Sequence, residues 1–192
     1  AFLLPLVGAF GIVLCGRWPN LRETVTLVTA ALTGLTVIEL YGRFQQGGLS
    51  VVQLAEPLPG LAISFEIEPL AMLFALVASL LWFVTSVYAI GYMRGHGETN
   101  QTRFYTMFAI AISAALGVAF AGNLFTLFLF YEVLTISTYP LVAHACTEKA
   151  RQGARTYLAI LLGTSIGLQL LAILITYAAA GTLDFRAGGI LA

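Results

Sequence analysis

Charge is what this sequence has least of. Only 9% of its 192 residues are Asp, Glu, Lys or Arg, against about 25% in a soluble domain. That excludes a globule kept in solution by its surface. The net charge is +0, so no overall field points to nucleic acid as a partner. Cysteine is nearly absent too. Cys15 and Cys146 lie far apart and form no C-x-x-C pattern, so neither a disulfide nor a metal site is expected. The motifs that mark nucleotide or cluster binding are missing: no G-x-x-x-x-G-K-[ST], no G-x-G-x-x-G after a strand, no Cys/His set with metal spacing. No bound cofactor and no catalytic chemistry is expected of this chain. The first apolar run has no basic leader and no cleavage pattern, so a signal peptide is not expected. The chain opens without Met and closes in a Gly-rich stretch, which reads as part of a longer protein.

Apolar residues take the place of charge. They make up 59% of the sequence, and the mean hydropathy is +0.93. Six apolar stretches stand out, near 1–16, 24–43, 69–92, 104–121, 123–145 and 156–180. Most reach the ~20 residues that cross ~30 Å of hydrocarbon, where unpaired backbone is too costly for anything but helix. The fold class is therefore all-α: a polytopic transmembrane bundle of about six helices whose first partner is the lipid bilayer. Glu66, Glu68 and Pro69 should open the third helix, and Gly122–Asn123 should break the long run between the fourth and fifth. Trp18, Tyr41, Tyr92, Tyr105, Tyr157 and Tyr177 fall near helix ends, where an interfacial belt belongs. Between the second and third helices, residues 45–68 hold two short runs, Leu49–Leu54 and Leu61–Ile67, parted by Pro57, Pro59 and Gly60. This pattern predicts a small β-hairpin outside the membrane.

Loop charge gives the orientation. Arg17, Arg22, Arg94, Arg103, Lys149, Arg151 and Arg155 fall in the first, third and fifth loops, while the opposite side carries only Arg43 and Arg186. The positive-inside rule puts the first set in the cytoplasm and the hairpin outside.

One residue stands against the apolar background. Glu132 lies near the middle of the fifth stretch, with no basic residue within a turn. A carboxylate at that depth costs about 2.5–3.5 kcal/mol on insertion scales, and intramembrane acids usually serve a function. Thr135 at i+3 and Tyr139 at i+7 share its face, a polar lane along which a proton can hop. His144, at the cytoplasmic end of the same helix, can extend the relay. The plain alternative is a neutral, hydrogen-bonded structural glutamate. On the sixth helix, Ser165, Gln169 and Thr176 form one polar face; Gly163 and Gly167 lie roughly opposite, in a G-x-x-x-G pair suited to close helix packing. Ser and Thr often bond only their own backbone. Glu39 and Arg43 read as an ordinary i,i+4 pair. A sodium site wants several converging oxygens, so this set suits protons better.

From about Ser86 to Phe185 the chain resembles a known family. SVYAIGYM (86–93), RFYTMF (103–108), GNLFTLFLFYEVLTISTYPLV (122–142), GARTYLAILLGTSIG (153–167) and GTLDF (181–185) resemble the antiporter-like, proton-translocating subunits. These are shared by Mrp cation/proton antiporters, respiratory complex I and energy-converting hydrogenases. FYE followed by STYPLV is most similar to the D-type member of the Mrp group; Tyr131 and Pro140 stand where many relatives have Trp and Leu. The resemblance implies the N-terminal part of an inverted-repeat transporter fold. Residues 1–92 would form a three-helix segment with the hairpin, and residues 104–192 the start of the first repeat unit. It also implies that Glu132 pairs with a lysine of a seventh helix beyond Ala192. It implies, further, a multi-pass place in a bacterial or archaeal cell membrane beside other subunits, with protons, and in an antiporter sodium ions, as cargo. Three functions stay open: a proton-conducting antiporter subunit, a membrane-arm subunit of a redox-driven complex of NADH-quinone oxidoreductase or hydrogenase type, or a structural scaffold.

Overall fold

The computed structural model describes residues 1–47, 51–58, 61–186 and 188–190. Six helices are present among them: α1 (Leu3–Leu14), α2 (Pro19–Gln45), α3 (Pro69–Gly95), α4 (Gln101–Ala119), α5 (Leu124–Val142) and α6 (Glu148–Ala180). All but α1 are long and apolar enough to cross a membrane. The bundle thus has the six helices expected, and the 12 described residues of α1 span about 18 Å at 1.5 Å per residue.

The helix starts have local causes. Pro19 and Pro69 occupy first-turn positions of α2 and α3, where a missing N–H costs nothing. The Asn123 side chain accepts the Thr126 N–H at 2.7 Å and caps α5. Thr147 does the same for Ala150 at 3.1 Å, with Glu148 in the first turn of α6. Gly181 ends α6 with φ 67°, the left-handed conformation that glycine adopts freely. Inside α6, Ser165–Leu170 forms a π-helical turn.

The predicted hairpin is present as β1 (Val52–Leu58) and β2 (Leu61–Phe65), antiparallel, with Val52 opposite Phe65 and Gln53 opposite Ser64. Register shifts on either side of Ala55, the second beside Pro57, which has no N–H to give the ladder. Residues 49 and 50 of the first predicted run lie outside the described residues. Glu66 N–H bonds the Phe120 carbonyl (2.9 Å) and Gly122 N–H the Ser64 carbonyl (2.9 Å). The Asn123 amide donates to the Ala62 carbonyl (2.7 Å) and Ser64 Oγ (2.8 Å). The hairpin is thus tied to the turn between α4 and α5.

Helix α4 packs against α1, α3 and α5. Lipid offers no hydrophobic drive for helix association, so membrane helices meet through small residues and close packing. Ala9, Ala30, Ala75, Ala109 and Ala114 are buried around Trp82, Tyr105 and Leu116. Large apolar side chains point outward instead, among them Leu80, Leu81 and Val84. Tyr105 is part of this core rather than of an interfacial belt, because the face of α4 that carries it meets α1 and α3. Trp18, Tyr41, Tyr92 and Tyr157 are exposed.

Candidate proton site on the fifth helix

Glu132 sits midway along α5. Its Oε1 atom is buried and has no hydrogen-bond partner among the described residues. Buried polar atoms are nearly always paired, so this oxygen calls for a donor from outside the described residues. On one side of Glu132, Val133 and Ile136 are exposed. On the other, Thr138 reaches α6 through a 3.4 Å contact with the Tyr157 hydroxyl.

Thr135 is buried and Tyr139 half-buried on the Glu132 side of α5. Stations three or four residues apart on a helix stand about 5–6 Å apart, and no hydrogen bond joins these three side chains directly. A proton passing along them needs water between the stations. His144 lies just past the end of α5, packed edge-on against Phe104 at 5.4 Å. Both its ring nitrogens are buried without a hydrogen-bond partner, and Nε2 is 3.8 Å from Glu98 Oε2.

A π turn over Ser165–Leu170 interrupts α6 and turns the residues after it, Thr176 among them, about the axis. Ser165 is buried and donates to the Leu162 carbonyl at 3.3 Å, the local bond that serine tends to make. Gln169 and Thr176 are half-buried. Gly163 and Gly167 are exposed, with nothing within 4 Å of where a Cβ would stand. Among the described residues they pack against no helix.

A second polar cluster lies at the end of the bundle opposite the hairpin. Glu23 and Arg22 of α2 are buried at 4% and 5% exposure. Glu23 accepts from Arg22 (3.3 Å) and from both Nε (3.1 Å) and Nη2 of Arg94 on α3. Arg22 also donates to Gln101 Oε1 (2.7 Å) and Thr102 Oγ1 (3.2 Å) of α4 and lies 5.3 Å from the Tyr105 ring. The loop-charge reading gave Arg22 and Arg94 only an orienting role. Their one available signal was Glu23, an acid beside Arg22 at the mouth of an apolar helix. No group of three metal-ligating side chains occurs among the described residues.

Fold and site together define a helical membrane protein with an unpaired acid inside one span. Two family models match it: the N-terminal model of NADH-ubiquinone oxidoreductase (complex I) chain 5 over residues 60–105, and the NADH:quinone oxidoreductase/Mrp antiporter transmembrane model over residues 121–189. The chain belongs to this antiporter-like, complex I-like family of membrane subunits. Its fold is similar to that of a chain of the archaeal membrane-bound sulfane sulfur reductase (24% identity, TM-score 0.79, 95% of this chain and 37% of that one). It is similar also to a chain of the Dietzia sp. Mrp complex (23%, TM-score 0.74, 95% and 34%) and to one of Thermus thermophilus complex I (19%, TM-score 0.70, 98% and 39%). The sequence thus spans between a third and two fifths of those chains.

Proposed function

We propose that this chain belongs to the proton-conducting membrane subunit of a multisubunit monovalent cation/proton antiporter, of the D type in the Mrp group. Glu132 is its mid-membrane protonatable group. The observation that carries the reading is the buried, unpartnered Oε1 of Glu132 in the middle of α5. A carboxyl group held there takes up or gives up a proton according to whether a cation stands beside it. A basic side chain from outside these helices, approaching over the open face beside Val133 and Ile136, would favour the carboxylate. Its withdrawal would favour the acid. Thr135, Tyr139 and His144, bridged by water, then carry the proton toward the end of α5. Gly163, Gly167 and the polar positions Ser165, Gln169 and Thr176 offer α6 to further helices of the assembly. The protein would work in a bacterial or archaeal cell membrane beside other subunits, with a monovalent cation as the exchanged ion.

Glu132→Gln keeps shape and hydrogen bonding but cannot titrate. It is expected to leave the complex assembled and to abolish most proton-coupled flux in vesicles, normalised to assembled protein; Glu132→Asp is expected to retain part of it. Full flux in Glu132→Gln makes the residue structural and leaves a scaffold role. Similarity to the sulfane sulfur reductase and complex I chains favours a second reading, a membrane arm driven by electron transfer. Flux that runs on a cation gradient without reductant supports the antiporter. Flux that requires an electron donor supports the redox-driven complex.

A further inference from the structure

We propose that Glu98 and His144 form a proton port through which the α5 lane exchanges protons with the aqueous side; this rests on the proton-conducting reading of Glu132. The two residues come from different connections, Glu98 from the loop between α3 and α4 and His144 from the segment leaving α5. Their side chains meet at 3.8 Å. The His144 side chain is 15% exposed and that of Glu98 34%, so the pair steps from solvent toward the interior. Glu98 also lines a cleft of about 500 Å³ that runs past Arg22, Glu23, Arg94 and Asn100.

The orphaned ring nitrogens are the second observation. A neutral imidazole has one N–H and one lone pair to satisfy, and at His144 neither makes a hydrogen bond among the described residues. A structural histidine would be anchored through at least one nitrogen. Here the anchoring is done by the backbone: the His144 carbonyl accepts from Arg103 Nη2 (3.4 Å) and Cys146 Sγ (3.3 Å). Arg151 of α6 holds the next turn through the Cys146 carbonyl (3.0 Å). Arg103 of α4 and Arg151 of α6 meet the backbone beside the ring, at the His144 and Cys146 carbonyls, and Glu98 from the loop approaches its Nε2 at 3.8 Å. The backbone at His144 and Cys146 is fixed, while neither ring nitrogen is held by a hydrogen bond.

The transfer balances without any other reagent. The Glu98 carboxylate takes a proton from hydronium in the cleft, leaving water, and passes it to the Nε2 lone pair of the Nδ1–H tautomer. The imidazolium then releases the Nδ1 proton to water on the α5 side, leaving the Nε2–H tautomer, and a flip of the ring, which no hydrogen bond holds, restores the Nε2 lone pair for the next proton. Return of the proton to Nδ1 and release from Nε2 runs the same path outward.

The test uses the protein in its full assembly, in sealed vesicles whose bath contacts these loops. Glu98→Gln and His144→Gln are expected to lower flux severalfold in a weakly buffered alkaline bath, where protons are scarce, and less in an acidic one. Imidazole in the bath, a diffusible proton carrier, should restore it. Glu132→Gln should not respond to imidazole. Should Glu98→Gln fail to assemble, the equal-sized pair Glu98→Asp and Glu98→Asn decides: the first keeps flux, the second loses it reversibly. Full flux in the Glu98 and His144 variants, with Glu132→Gln inactive, overturns the port and leaves the reading of Glu132 standing. A loss that imidazole does not repair overturns it as well, since that is the behaviour of a structural contact. Full flux in Glu132→Gln overturns the underlying reading instead.

Discussion

Glu23 and Glu39 lie on the same helix, each beside an arginine, and the structure gives them different work. Glu39 and Arg43 form an i,i+4 pair at 2.6 Å, with side chains 63% and 66% exposed. Such pairs contribute at most about 1 kcal/mol. Glu23 is buried and holds two arginines from two helices. Taking away one partner of a buried pair costs about 3–5 kcal/mol, because the other charge is left uncompensated. We predict that Glu23→Ala lowers stability by about that amount, with Arg22 left buried, while Glu39→Ala changes it by less than about 1 kcal/mol. Thermal unfolding of the purified assembly in detergent compares the two, and equal shifts would refute the assignment. The exposed pair was legible in the sequence because its spacing is local. The buried one was not, since Arg94, Gln101 and Thr102 reach Arg22 and Glu23 only after α3 and α4 have folded back. Glu132 was legible because a lone acid inside an apolar run needs no tertiary knowledge to stand out.

At the scale of elements, hydropathy found the helices but not their ends. The sequence placed the sixth apolar stretch at 156–180, yet α6 begins at Glu148. Lys149, Arg151 and Arg155 are helical and exposed, so the helix outruns its apolar part. Cap residues, here Thr147, mark where a helix starts; hydropathy marks only where lipid would start. The G-x-x-x-G spacing identified glycines that could accept a neighbour, but within this chain the close approaches are elsewhere. A Cβ on Gly8 would lie 2.3 Å from Thr29 Cγ2, and one on Gly117 would lie 2.1 Å from Phe130 Cδ1. Phe130 is itself held by Phe2 and Phe65, at ring distances of 5.3 and 5.5 Å, so it cannot simply swing aside. We predict that Gly117→Ala forces α4 and α5 apart and costs about 1–3 kcal/mol, the usual range for overpacking. Gly117→Ala combined with Phe130→Leu should recover part of the loss. If Gly117→Ala melts at the wild-type temperature, the α4–α5 contact is looser than described. Gly163→Ala, facing open space, serves as the control.

Across the whole molecule the helices alternate in direction, and the two ends differ in kind. At one end the hairpin, the Gly122–Asn123 turn and the segment after α6 are tied by backbone bonds, including Leu124 N–H to the Leu183 carbonyl at 3.1 Å. At the other end the connections meet through side chains: Thr102 Oγ1 with the Gly16 carbonyl at 3.4 Å, Arg103 with the His144 segment, and Arg94 with Glu23. That second end holds Arg17, Arg103, Lys149, Arg151 and Arg155. Arg22 is buried in an ion pair and is no longer a free topological charge, but the remaining bias has the same sign. The positive-inside rule counts short loops near the helix ends, and these loops are short. We therefore predict that the Glu23–Glu98 end faces the cytoplasm and the hairpin faces out. Single cysteines at the exposed positions Thr99 and Gln53, in a background without Cys15 and Cys146, test this directly. A membrane-impermeant maleimide added to intact cells should modify Gln53→Cys at once and Thr99→Cys only after the membrane is opened. The reverse pattern would invert the molecule and put the Glu98–His144 pair on the outside. Its proton exchange would then have to be sought in the external medium.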